Sequence, residues 1–290
     1  QHTVLIDPFL KSEDDIQVQT GIADFVDYNG IIYLAKFQGE DVILKEISIE
    51  QNESEKLNKI KVREIYTMIN LGEHKNIAKF HGWIEKPNYV KLIIENLKGG
   101  NLENYIKPGA LTIKQKIKIL LDSAEGLQYI HSKNVVHRDI RARNISIDKK
   151  INGEECDFNA KIFDFGVSWE EEQDRANTNI PGFFKYTAPE ERGGQSYDSK
   201  IDIFSFAIMT FELFSEQEAY TDEKTKKFND TVLALRIARK GLRPDFNCQV
   251  KSDTPQEIID MYKQNWELDP TKRMNSTKLV ESLRKIYESQ

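Results

Sequence analysis

Near the middle of the chain stands Val135-Val136-His137-Arg138-Asp139-Ile140-Arg141-Ala142-Arg143-Asn144, followed by Asp164-Phe165-Gly166 and then by Ala188-Pro189-Glu190. A lone aspartate near an element end is usually a cap or a solvated side chain, so Asp139 or Asp164 alone would say little. A single triplet also recurs by chance. Three such groups in one order, suitably separated, form a specific pattern and decide the fold.

Downstream, Ile201 to Phe214 is the most apolar run, yet it contains Asp202, Ser205 and Glu212. It falls short of the roughly 18 residues of a membrane span and reads as a buried central helix. Upstream, Thr112 and Gln115 have capping-box spacing before an apolar stripe of Ile113, Ile117, Leu120, Leu121 and Ala124. The first third is different. Ile16-Gln17-Val18, Ile31 to Leu34 and Val42 to Lys45 are β-type runs parted by Asn29-Gly30 and Gly39-Glu40-Asp41, and Ile77 to Trp83 and Tyr89 to Glu95 add two more. Between them, Glu53 to Leu71 has helical periodicity, with Leu57, Ile60, Glu64 and Met68 on one stripe. An acid on that stripe either meets a buried cation or reaches water at its edge. The expected architecture is α+β in two lobes, with a flank at 1–14, a strand-rich lobe at 15–95, a hinge at 96–100 and a helical lobe at 101–290. A cleft between lobes is a common place for a small ligand.

The chain has 290 residues, 41 basic and 47 acidic, for a net charge of −6, which argues against nucleic-acid binding by broad phosphate neutralisation. Cys156 and Cys248 are far apart and form no Cys-x-x-Cys, so neither a disulfide framework nor a structural zinc is expected and a cytoplasmic setting is. A start at Gln1 instead of Met is read as a domain of a longer polypeptide.

The three central groups resemble the catalytic loop, metal-binding triplet and activation-segment end of the eukaryotic protein kinases, and the resemblance runs from about Ile16 to Tyr287. It implies a bilobal fold, ATP and Mg²⁺ as cofactors, and a protein substrate. On it, Lys45 is the phosphate-binding lysine fixed by Glu64, Asp139 orients and deprotonates the incoming hydroxyl, and Asn144 and Asp164 hold metal. Glu95 and Leu97 fall at the hinge beside adenine, Ile94 is the gatekeeper, and Ile32 and Ile43 line the nucleotide slot. Asp202 opens the central helix and Arg273 pairs with Glu190, both as structural residues. Arg141-Ala142-Arg143-Asn144 and Phe184 to Glu190 look like a tyrosine kinase, whereas the stretch before them does not. The mixture resembles the tyrosine-kinase-like group, most of whose members modify serine or threonine.

Two departures stand out. In the glycine-rich loop Gly30 keeps the third glycine position while Phe25 and Asp27 take the first two, and a second register through Gly21, Ala23 and Val26 restores no more glycines. Ile43 replaces a small alanine in the adenine roof, which narrows the slot. The alternative to an active kinase is therefore a pseudokinase, a regulatory module that docks a partner protein. Arg138 resembles the arginine that meets an activation-segment phosphate, with Ser168 and Thr178 as available hydroxyls and the acids at 170–172 and 174 as a substitute for phosphate. Ile151 to Asn159 reads as a lengthened hairpin, and Asp222 to Lys227 as a surface insertion.

Overall fold

The computed structural model describes residues 9–18, 25–27, 30–48, 55–152, 155–166, 168–170, 184–192, 197–245 and 251–290. Its first part is an antiparallel sheet of β1 (Ile16–Val18), β2 (Phe25–Asp27), β3 (Gly30–Phe37), β4 (Glu40–Ser48), β5 (Phe80–Lys86) and β6 (Tyr89–Glu95), in the order β1-β3-β4-β6-β5 with β2 also on β3. Gln38 and Gly39 connect β3 to β4 with φ of +51° and +85°. Two left-handed residues in succession match the right-handed twist of the flanking strands, and glycine takes one of the two places without strain.

Strand alternation gives the sheet two faces. Val42 and Leu44 of β4 join Ala35, Phe37, Ile84 and Ile93 in a small outer cluster. Ile47 belongs to the main core, and Ile43 and Lys45, on the same side of the strand, line the cleft. Helix α1 (Glu55–Leu71) brings Ile65, Met68 and Leu71 to that core at spacings of three.

The expected strand over Ile77 to Trp83 is displaced, because β5 begins at Phe80. Residues 76–78 instead dock on the second lobe. Ala78 N–H donates to Ile162 O at 2.9 Å, Ile162 N–H to Asn76 O at 2.9 Å and Asn76 Nδ2 to Ala160 O at 3.1 Å.

The second lobe holds α2 (Ile113–Ser132), the short β7 (Val135–Val136), the hairpin β8 (Ile145–Asn152) and β9 (Glu155–Ile162), and β10 (Trp169–Glu170) paired with β7. There follow α3 (Pro189–Arg192), α4 (Lys200–Ser215), α5 (Asp230–Lys240), α6 (Gln256–Asn265) and α7 (Ser276–Glu288). Both halves of the capping box on α2 form, Gln115 N–H to Thr112 Oγ1 at 3.2 Å and Thr112 N–H to Gln115 Oε1 at 2.9 Å. Every residue of α4 from Ile201 to Ser215 is buried, so it is the axis of the lobe. The β8–β9 pairing bears out the lengthened hairpin. Among the described residues no helix is long and apolar enough to cross a membrane.

Candidate active site

Lys45 is the junction of the site. Its Nζ donates to Glu64 Oε1 at 2.9 Å, Glu64 Oε2 at 3.1 Å and Asp164 Oδ1 at 2.7 Å, so β4, α1 and the start of the activation segment meet on one ammonium. Lys45 is 5% exposed and Glu64 2%, so of its two expected settings the acid on the α1 stripe takes the one with a buried cation. Burial alone would lower the lysine pKa, but the Asp164 and Glu64 carboxylates raise it above its ordinary value. Burial likewise works to raise Asp164, and Lys45 overrides it and holds the acid below its ordinary value. Both groups stay charged at neutral pH.

Asp139 lies across the cleft. Its Oδ1 is 3.0 Å from Arg141 Nε, and Asn144 Nδ2 donates to its Oδ2 at 2.7 Å and to its backbone oxygen at 2.9 Å. Burial lifts the Asp139 pKa above its ordinary value against the pull of Arg141. A more basic carboxylate is a better proton acceptor. The loop is held from below by Asp202, whose carboxylate accepts from His137 N at 2.8 Å and Arg138 N at 2.7 Å and lies 2.9 Å from His131 Nε2. Those bonds support a backbone with φ of +70° at Arg138, an uncommon conformation for a side chain of that size. Phe165 is fully buried and meets the His137 ring edge-on at 4.9 Å between centroids, which fixes Asp164 beside Lys45.

The donor set fits a hard divalent cation. Asn144 spends its amide hydrogens on Asp139, leaving Oδ1 free of hydrogen bonds to described residues, and Asp164 keeps Oδ2 free while Oδ1 serves Lys45. Oxygen donors of this kind suit Mg²⁺.

The slot expected to take the nucleotide is narrow. Ile32, Ile43, Ala78, Ile94, Glu95, Ser146 and Phe163 join Lys45 and Asp164 around a cavity of about 60 Å³. Leu97 is buried just beyond, and its N–H carries no hydrogen bond to a described residue. The Glu95 carboxylate turns away to Lys161 Nζ, both contacts at 2.8 Å, so the hinge offers backbone groups rather than that side chain. Ala78, Ser146 and Phe163 were not singled out from sequence, although two of them adjoin recognised motifs. In the glycine-rich loop, Asp27 pairs with Gly30 in the β2–β3 register; residues 28–29, and Gly21 and Ala23 of the second register, lie outside the described residues.

Ser168 requires a correction. It is 1% exposed and its Oγ donates to His137 O at 3.3 Å, so in this arrangement it locks the loop and is not available as a phosphate acceptor. Thr178 and residues 171–174 lie outside the described residues. Arg138 finds a different acid, Glu191 Oε1, at 3.2 Å from Nη2. Glu190 and Arg273 form the expected buried pair, at 2.6 and 2.9 Å.

A second cavity, about 440 Å³, opens beside the catalytic loop between Arg141, Phe184, Lys185, Tyr186, Glu212 and Asp230. Beneath it the Tyr186 hydroxyl donates to Glu212, whose other oxygen accepts from Ala219 N at 2.9 Å.

Comparison with known proteins agrees with this geometry. The chain is 27% identical to the serine/threonine-protein kinase STY46 of Arabidopsis thaliana over 89% of its own length and 42% of that protein. It is 25% identical to the serine/threonine-protein kinase STY17 of the same plant, again over 89% and 42%. It is 27% identical to the RGS domain-containing serine/threonine-protein kinase A of Dictyostelium discoideum, over 95% of this chain and 23% of that protein. The chain thus spans less than half the length of these relatives. Residues 29–283 match the protein kinase domain, and the chain belongs to the protein kinase family.

Proposed function

We propose that the chain is an active kinase that transfers the γ-phosphate of ATP to a serine or threonine hydroxyl of a protein substrate, with Mg²⁺. The observation that carries this is the double engagement of Lys45 by Glu64 and Asp164 opposite the Asp139–Asn144 pair. Lys45 would bind the α and β phosphates, and Asn144 and Asp164 would hold the metal, which would neutralise phosphate charge when bound. Asp139 takes the proton of the incoming hydroxyl as its oxygen bonds to the γ-phosphorus, and the bond to the ADP oxygen breaks. The serine/threonine preference is supported by the names of the relatives. The lobe boundaries belong to the same proposal, 15–95 and 101–290 about a hinge at 96–100, with a flank at 1–14.

One observation favours a second reading, a pseudokinase that acts through a partner protein. The slot of about 60 Å³ under Ile43 is far below the roughly 300 Å³ at which small-molecule sites begin. Wild type and Asp139→Asn are incubated with MgATP and a generic protein substrate, and the products are read by mass spectrometry. Transfer by the wild type alone, on serine or threonine, is the expected result; no transfer by either, with no MgATP-dependent rise in melting temperature, overturns the kinase reading.

A further inference from the structure

Arg138 raises a question of charge. Its side chain is 7% exposed, and a guanidinium cannot shed its proton, so an anion must meet it where water does not. The Asp202 carboxylate is occupied with the backbone N–H groups of His137 and Arg138. The side chain instead reaches α3, where Nη2 and Nε lie 3.2 and 3.4 Å from Glu191 Oε1. The guanidinium also lies 5.7 Å from the centroid of the Tyr197 ring, a cation–π distance.

Glu191 is held in place by its neighbour. Glu190 is clamped by both Nη atoms of Arg273, which is itself buried and bonded to the carbonyls of Glu267, Leu268 and Lys200. The carboxylate facing Arg138 is therefore carried on a helix end fixed to the core of the large lobe. On the other side, Arg138 adjoins Asp139 in a backbone turn of positive φ. The chain of contacts runs from Arg273 through Glu190, Glu191 and Arg138 to Asp139. Ser168, meanwhile, offers no competing anion, since its hydroxyl is buried against His137 O.

We propose that Glu191 is a positioning residue, the built-in counter-charge of Arg138, which sets the loop around Asp139 in the chain without phosphate on its activation segment. This rests on the kinase reading above. A carboxylate supplies permanently the negative charge that phosphorylation would supply on demand, in the same kind of charge-assisted contact. Without it the guanidinium loses the contact that ties it to α3, and its movement shifts residue 138 and with it Asp139.

The test uses the whole chain treated with phosphatase and shown by intact mass to carry no phosphate. Wild type, Glu191→Gln and Glu191→Asp are compared in MgATP-dependent transfer and in amide hydrogen exchange over 137–144. The expected result is turnover by the unphosphorylated wild type, a kcat at least tenfold lower in Glu191→Gln with KM for ATP within twofold, and partial recovery in Glu191→Asp. Exchange at 137–144 accelerates in Glu191→Gln. A tenfold or greater rise in wild-type turnover on activation-segment phosphorylation overturns the proposal, as does wild-type kcat in Glu191→Gln. Should Glu191→Gln not fold, the Arg138→Gln/Glu191→Gln double variant, which leaves neither charge alone, takes its place with the same expected exchange. If no chain transfers phosphate, the kinase reading fails separately and exchange alone decides: unchanged protection at 137–144 overturns the role of Glu191.

Discussion

Replacing Glu212 by glutamine should make stability less dependent on pH, by an amount that follows from its surroundings. Glu212 is 1% exposed on α4, and burial pushes its carboxyl from an ordinary 4.5 to about 7, against the opposing bonds from Ala219 N–H and the Tyr186 hydroxyl. Below pH 4.5 the folded and unfolded chains both hold this proton, and nothing is lost. Between 4.5 and 7 the unfolded chain releases it while the folded chain keeps it, so stability falls as pH rises, and above 7 the loss is complete. At about 1.4 kcal/mol per pH unit, the gap corresponds to about 3 kcal/mol. Glu212→Gln removes the titration, and its amide still accepts from Ala219 N–H and donates to the Tyr186 oxygen. Urea unfolding of both proteins between pH 4.5 and 8 measures the difference. Trp266 is a suitable fluorescent reporter, packed 6.0 Å from Phe211 and 4.9 Å from Tyr262 between ring centroids. The variant should gain about 3 kcal/mol on the wild type across that interval. A difference that stays flat to within about 0.5 kcal/mol would refute the assignment of a buried, late-titrating carboxyl.

Three other perturbations have definite signs. Ile43→Ala should raise affinity for MgATP at least fivefold in calorimetry, because it removes bulk from the slot roof; unchanged or weaker binding would mean that Ile43 does not limit entry. Gly126→Ala, helpful in an ordinary helix, should destabilise by about 1–3 kcal/mol in urea unfolding, since its Cβ would lie 2.7 Å from Asn76 O, and a gain in stability would show that the lobes give way there. Arg141→Gln removes the cation that opposes the burial shift on Asp139, so the acid limb of the pH-rate profile should move to higher pH; a limb moving down would contradict the Arg141–Asp139 ion pair.

What could be read from the sequence was local or carried by motif. The capping box of Thr112 and Gln115, the mostly apolar Ile201 to Phe214 helix and the order of catalytic groups are each contained in a short stretch, and each stands in the structure as expected. Glu64 is an intermediate case, since helical periodicity left open a buried cation or water at the stripe's edge and the resemblance supplied Lys45 as its partner. The misses depend on distant neighbours. The run from Ile77 has strand propensity, but Ile162 and Ala160 claim its backbone before β5 can begin. Ser168 looked like a free loop hydroxyl until the fold turned it toward His137. The Arg138–Glu191 contact joins residues 53 apart, with no periodicity to announce it. Ala78 and Ser146 matter to the slot through their small volume, which no motif records.

The docking of residues 76–78 also settles where the molecule must flex. Three hydrogen bonds tie this stretch to Ala160 and Ile162, and Gly126 lets the α2 backbone press against it, so the inner end of α1 travels with the large lobe. The sheet is joined to that lobe a second time at the hinge, through Gly99 N–H on Ile147 O at 3.0 Å. Two fixed points define an axle. A rotation about it would carry β1 and β2, the strands farthest from β5 and β6, by the largest arc, while the Lys45 contacts to Glu64 and Asp164 span the two lobes. The mouth of the cleft is thus the part that swings, and its charged floor is what bridges the lobes.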